Sequence, residues 1–152
     1  MTKTSGADAG RTPREVLDLY HRAMREMAAD DLADLYAEDG THEFPFTTPG
    51  FPGRFEGREA VRAGYRAAWG ASPLRMVEIA DVVVHEAAEA GTLVGEHVAV
   101  VESARGERFA VPGLLVVRVR DGLIARMRDY MDALAVGRAG ASIASKSPAA
   151  AS

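Results

Sequence analysis

The spacing of apolar side chains changes character once along the chain, near Pro73: before it they recur at helical intervals, and after it they alternate or run together as in strands. Thr12-Pro13-Arg14-Glu15 is a helix start, because Thr12 can cap free amides, Pro13 suits the first helical position and Glu15 completes a capping box. Val16, Tyr20, Ala23, Met24 and Met27 then make one apolar stripe that ends near Ala28-Ala29-Asp30-Asp31. Asp30 or Asp31 is expected to cap a short second helix carrying Leu32, Leu35 and Tyr36, stopped by Asp39-Gly40. Thr41 to Phe46 reads as a short strand that Pro45 confines to an edge or a bulge. The turn chemistry of Pro49-Gly50-Phe51-Pro52-Gly53 makes the next segment a lid or a packed crossing. A third helix is predicted over Arg58 to Trp69, with Val61, Tyr65, Ala68 and Trp69 on one face and Gly70 and Pro73 ending it.

Four strands follow, at about 74–87, 92–104, 108–120 and 123–132. Glu89-Ala90-Gly91, Arg105-Gly106-Glu107 and Asp121-Gly122 separate them, turns short enough to demand antiparallel hairpins. Helices first and a meander afterwards predict an α+β fold. Val98 to Val101 and Leu114 to Val117 are apolar at successive positions, so both faces of the sheet should be covered. Helices can cover only one, and the outer face is expected to meet a second copy in a homodimer. Residues 1–11 and 136–152, rich in Ala, Gly, Ser and Lys without an apolar period, read as loose tails on a single domain at 12–135.

Composition narrows the function. A chain of 152 residues can bury a core without staples, and with no cysteine it has neither disulfides nor a thiol nucleophile. The net charge of -4, with no basic run, argues against a nucleic-acid partner. No apolar run approaches the roughly 18 residues of a membrane span, and the first residues lack a signal-peptide core, so no membrane partner and a cytoplasmic location are expected. The four histidines show no metal-ligand spacing and no glycine-rich phosphate loop is present, so neither metal nor nucleotide cofactor is expected.

The candidate chemistry lies in the last strand, Arg126-Met127-Arg128-Asp129-Tyr130-Met131-Asp132, which puts charge close to a core. Alternation places Met127, Asp129 and Met131 on one face and Arg128, Tyr130 and Asp132 on the other. Among thioethers the charged form of Asp129 is disfavoured unless a partner holds it, which suits a general acid or base; the alternative is a structural carboxylate held by Arg126 or Arg128. His97 alternates with Ala99 and Val101, and reads either as a core residue or as an imidazole oriented by Asp129. Glu43, at the end of the short strand, is a third candidate at the mouth, and its neighbour His42 reads as pointing away, to the surface or an interface. Tyr20, Tyr36, Tyr65 and Trp69 turn inward for packing, Tyr20 carrying the hydroxyl best placed to reach substrate. Met24, Met27, Met127 and Met131, with Tyr36, Phe46, Phe51, Tyr65, Trp69 and Leu114, would line a pocket for a small apolar or partly polar organic molecule.

Several local strings carry a resemblance: Leu35-Tyr36-Ala37-Glu38-Asp39-Gly40, Glu43-Phe44-Pro45-Phe46, Glu56-Gly57-Arg58-Glu59-Ala60-Val61, Asp121-Gly122-Leu123-Ile124 and Arg128-Asp129-Tyr130-Met131-Asp132. Over residues 12–135 the chain resembles the SnoaL-like polyketide cyclase branch of the nuclear-transport-factor-2-like superfamily, which is related to ketosteroid isomerases. The resemblance implies a cone-shaped roll, three N-terminal helices packed on a strongly curved antiparallel sheet. It also implies a cofactor-free enzyme of secondary metabolism with a cyclase-like or isomerase-like reaction, or a non-catalytic binding or accessory protein of the same fold. Asp129 matches the pocket Asp of the Trp-Arg-Asp-Tyr motif in limonene-epoxide-hydrolase-like relatives, with Met127 in place of the Trp. Their Arg-x-Asp pair matches His97 and Ala99, so the water-activating carboxylate pair is incomplete and epoxide hydrolysis is not expected. Against ketosteroid isomerases, Glu43 is the one carboxylate near the base position, Leu114 stands near the oxyanion-hole Asp and Tyr20 is the matching tyrosine.

Overall fold

Thr12 caps the first helix as its position predicts: its Oγ1 accepts the Glu15 N–H at 3.1 Å and donates to the Glu15 carboxylate at 3.2 Å. In the computed structural model, which describes residues 10–46, 50 and 52–146, helix α1 spans Pro13–Glu26 and buries Val16, Leu17, Tyr20, His21 and Ala23. Met27 ends it in the left-handed region, at φ 49°. Helix α2 is one turn, Ala29–Ala33, capped by Ala28 without a side-chain bond. Asp30 lies inside that turn and, with Asp34, pairs with Arg62 of helix α3, Arg58–Ala71.

The second helix therefore stops before Leu35, and Tyr36 opens strand β1, Tyr36–Glu43, where the sequence predicted helix and then a strand from Thr41 to Phe46. The reason is non-local. β1 runs parallel to the last strand, β6, Leu123–Met131, with Tyr36 beside Ile124 and His42 beside Met127, and this pairing overrides the local helical spacing. Arg58 also donates to the Tyr36 carbonyl at 2.8 Å, tying the start of β1 to α3.

Strand β2, Arg54–Glu56, β3, Arg75–Glu86, β4, Thr92–Glu102, and β5, Arg108–Arg120, complete a six-stranded sheet in the order β2-β1-β6-β5-β4-β3. All its pairings are antiparallel except β1 with β6. Asp121 and Gly122, at φ 53° and 75°, make the hairpin between β5 and β6, the left-handed pair a tight turn of this kind requires. Register shifts between Met76 and Glu78 and between Ala80 and Val83 mark where β3 bends, the shift at Arg118 and Val119 leaves Ala125 of β6 as the extra residue, and bulges of this kind curve a sheet. The result is the expected α+β architecture, a curved sheet with α1 to α3 on its inner face.

Where the sequence predicted a tail from residue 136, the chain forms helix α4, Ala133–Lys146. Asp132 Oδ1 accepts the Ala135 N–H at 3.0 Å, and Ala135 and Val136 pack against Ala99, Val101 and Val111. Small residues gave no clear apolar period, yet Ala139 is fully buried, so the stripe is real and narrow. The rest of the expected tails, residues 1–9 and 147–152, lies outside the described residues. Among those described, no helix is long and apolar enough to cross a membrane.

Candidate active site

Two apolar clusters fill the inner side of the sheet, and a polar belt separates them. Along β4 the inward residues run Leu93, Gly95, His97, Ala99, Val101; along β5, Val111, Gly113, Leu115, Val117; along β6, Met127, Asp129, Met131. Leu93, Leu115, Val117 and Met127 belong to the larger cluster under the helices, and Ala99, Val101, Val111 and Met131 to the smaller one beneath α4. His97, Gly113 and Asp129 fall between. The buried polar side chains of the described residues are His21, His42, His97 and Asp129, and all belong to this belt.

His42, wholly buried, organises one end of it. Tyr36 Oη lies 2.7 Å from its Nδ1, Tyr65 Oη 3.1 Å from its Nε2, and Asp129 Oδ2 3.3 Å from the same Nε2. Tyr20 Oη is 3.4 Å from Tyr65 Oη. Burial raises the phenols of Tyr20, Tyr36 and Tyr65 well above their ordinary value, with the Asp129 carboxyl adding to the rise in each case. The three tyrosines thus stay protonated and act as donors, not bases. A Tyr36 O–H that donates to Nδ1 puts a ring proton on Nε2, the nitrogen that Tyr65 Oη bonds and beside which Asp129 lies. Phe44, Phe55 and Tyr65 wall the imidazole, their ring centres 4.7, 6.3 and 5.3 Å away.

Asp129 lies against His42 while Arg126 and Arg128 pair with Glu43, and the pair predicted between Asp129 and His97 is replaced by one between Asp129 and His42. The exchange has a simple cause. Residues paired across β1 and β6 share a face, so His42 lies inward beside Met127 while Glu43 lies outward beside Arg128. Glu43 bonds Arg126 at 2.9 Å and lies 3.5 Å from Arg128, and the Arg126 hydrogen bond lowers its pKa. The sequence carried the signal: counted from Tyr36 rather than Thr41, alternation puts His42 with Phe44 on the apolar side.

The other expected site residues divide. Tyr20, Tyr36, Tyr65 and Asp129 come together, and Met127 is buried below them in the larger cluster, with Met24 at its edge. Met131 packs in the smaller cluster. Leu114 faces outward, opposite Glu96 and Tyr130; Leu115 is the inward neighbour, beside Asp129. Phe46 is also outside, 66% exposed and edge-on to Tyr130 at 5.2 Å. Met27 and Trp69 line a separate cleft of about 400 Å³ with Arg66 and Arg75, although Trp69 also packs edge-on against Tyr65. Phe51 lies outside the described residues, as does part of the predicted lid, so that reading carries no structural statement.

His97 lies at the other end of the belt with His21, which sequence reasoning passed over because the helical stripe was read through Tyr20 and Met24. Burial lowers the His97 pKa while the Asp129 carboxyl pulls the other way, and burial, helped by His97, pushes His21 down to about 4. No group of three metal-ligating side chains converges among the described residues.

The sequence profile described as "SnoaL-like domain" matches residues 16–127. An uncharacterised PhzA/B-like protein of Pseudomonas aeruginosa is 33% identical over 123 residues, 80% of this chain and 84% of that one. Among solved structures, a Bacillus subtilis protein provisionally named an isomerase superposes with a TM-score of 0.76 at 25% identity, over 85% of this chain and 92% of its own. A phenazine biosynthesis-related protein of Pseudomonas aeruginosa gives 0.66 at 17% identity, covering 91% and 86%, and a Pseudomonas putida protein provisionally named a polyketide cyclase gives 0.63 at 22%, covering 80% and 92%. These last two show the shared fold.

Proposed function

This chain belongs to the SnoaL-like domain family, and we propose that it is a cofactor-free enzyme of small-molecule metabolism whose Asp129 moves a proton in an isomerase-like or cyclase-like reaction. The observation that carries the proposal is the 3.3 Å contact of Asp129 Oδ2 with His42 Nε2, backed by Tyr36 at 2.7 Å on the other ring nitrogen. His42 stands beside one carboxyl oxygen, Oδ2. A carboxylate oriented in this way, amid apolar surroundings, can take a proton from carbon next to a carbonyl and return it elsewhere. The neighbouring phenols supply O–H donors that steady negative charge developing nearby. The isomerase and cyclase names of relatives with this fold agree with such chemistry.

No natural substrate is needed for the test. NMR in D₂O follows exchange of the acidic α-protons of 2-tetralone, an apolar bicyclic ketone. The native protein should accelerate exchange, and Asp129→Asn should reduce the acceleration by about 100-fold or more with the fold intact by circular dichroism. Equal exchange in both proteins would remove Asp129 from catalysis.

A second reading, a binding or accessory protein without chemistry, is favoured by one observation: with Glu43 on the outer face and Ala99 at the second acidic position of epoxide-hydrolase-like relatives, Asp129 is the one carboxyl in the belt among the described residues. Tight ligand binding without exchange, indifferent to Asp129→Asn, would select it.

We also propose that a second copy covers the outer sheet face. A groove of about 1140 Å³ there is lined by Val83, Val98, Leu114, Val116 and Tyr130. Its surroundings carry both charge signs, Glu43 with Arg126 and Arg128 and Glu96 with His85, so a two-fold rotation can bring opposite charges together. Sedimentation should give a dimer for the native protein and a monomer for Leu114→Arg; a native monomer at working concentration would end this assignment.

A further inference from the structure

His21 and His97 take no part in the His42 network. α1 supplies one and β4 the other, and their rings lie 5.8 Å apart at a tilt of 56°. They are 9% and 6% exposed, and each has a buried nitrogen, Nε2 of His21 and Nδ1 of His97, with no hydrogen-bond partner among the described residues. Each such nitrogen costs about 1–3 kcal/mol, so two in one place call for an explanation.

The sheet is shaped to admit them. His97 is paired with Gly113, and a Cβ at Gly113 would stand 2.8 Å from His97 Cε1 and Nε2. The missing side chain is what lets the imidazole lie over β5. On the other side of Gly113 is Met131, and Asp129 lies on the same inward face two residues earlier in β6. The histidine pair and Asp129 thus look onto the same interior from strands two places apart, a backbone separation of roughly 10 Å.

Depressed pKa values keep both imidazoles neutral near pH 7. A neutral imidazole offers one N–H and one lone pair, so the two together suit a hydroxyl, enol or carbonyl oxygen. No buried Lys or Arg of the described residues stands by to balance an anion.

We propose that His21 and His97 form a second oxygen-binding pole, so that this protein's substrate class is a neutral, largely apolar ring system with two oxygen functions, one handled by Asp129 and the other held between the histidines. The proposal rests on the Asp129 reading for the first oxygen only.

Calorimetry with two probes, 1,3-dihydroxynaphthalene and 2-naphthol, tests it. The native protein should bind the diol about 10-fold more tightly than the naphthol, the worth of one extra buried hydrogen bond. The gap should close in His97→Phe and in His21→Leu, with the naphthol affinity held within about two-fold, and His97→Gln, which keeps a bonding group, should restore part of it. Equal native affinities, as a water held between the histidines would give, or a gap that survives both His variants, overturns the pole and leaves the Asp129 proposal standing. A gap that behaves as expected while Asp129→Asn alters neither binding nor α-proton exchange overturns the Asp129 proposal and keeps the pole. Failure of both probes to bind overturns the pole.

Discussion

The two ends of the polar belt use the same residue type and treat it in opposite ways. At one end both nitrogens of His42 are engaged, by Tyr36 on one side and by Tyr65 and Asp129 on the other. At the other, His21 and His97 each bury a nitrogen with no bonding partner among the described residues. A satisfied network fixes geometry, because no member can rotate without losing a bond; an unsatisfied one gives up stability and is ready for an incoming group. Placing both between two apolar clusters makes the belt a rigid half beside a receptive half.

The difference should appear first in stability. His42→Phe leaves the buried Tyr36 and Tyr65 hydroxyls without their bonds and Asp129 without its neighbour, and should destabilise by about 3–5 kcal/mol in urea unfolding; a loss below 1 kcal/mol would mean the network holds nothing in place. Acid should act next, through the receptive half. His21 binds a proton near 6.5 when unfolded and near 4 when folded, so the unfolded chain takes up the proton first as pH falls. Its contribution is complete above about pH 6.5 and shrinks to nothing by about pH 4, a loss of roughly 3 kcal/mol. The groups that set it are burial first, then His97 and Arg14, which lower the pKa, and Asp18, which raises it; His97 adds a loss of the same sign, resisted by Asp129. Urea titrations at pH 7, 5.5 and 4 read this slope, and His21→Leu should flatten it.

That variant should also sharpen the contrast at pH 7. Where His42→Phe destabilises, His21→Leu replaces an unmet polar atom with an apolar one and should stabilise by about 1 kcal/mol. The smallest effect belongs to the outer face: Glu43→Gln weakens ion pairs with half-exposed arginines, should cost under about 1 kcal/mol and should leave α-proton exchange unchanged. A large loss of exchange in Glu43→Gln would return that carboxyl to the site.

Local signals in the sequence were reliable wherever a few neighbouring residues decide the outcome. The Thr12 cap, the Asp121-Gly122 hairpin and the inward turn of Asp129 all follow from contacts within one element or one turn. The errors came where distant strands decide. The parity of β1, hence whether His42 or Glu43 faces inward, is set by its pairing with β6, and α4 is held by residues of β4 and β5 rather than by its own composition. The unmet nitrogens of His21 and His97 depend on a helix and a strand meeting over Gly113, which no local pattern encodes.

The parallel pairing of β1 with β6 also sets an order of assembly. Hairpins β3-β4, β4-β5 and β5-β6 close between neighbours, but Glu43 must find Arg126 across 83 positions, a closure whose entropy makes it late. Changes in the Asp121-Gly122 turn should therefore slow refolding, and changes at Thr41 should chiefly speed unfolding; the reverse pattern would place β1 in the nucleus. Because His42 lies on β1 and Asp129 on β6, their meeting coincides with that final closure. On the ribosome, the meander can begin to form while β6 is still being made, and the Asp129 carboxyl gains its neighbour only once the last strand has emerged and β1 has docked beside it.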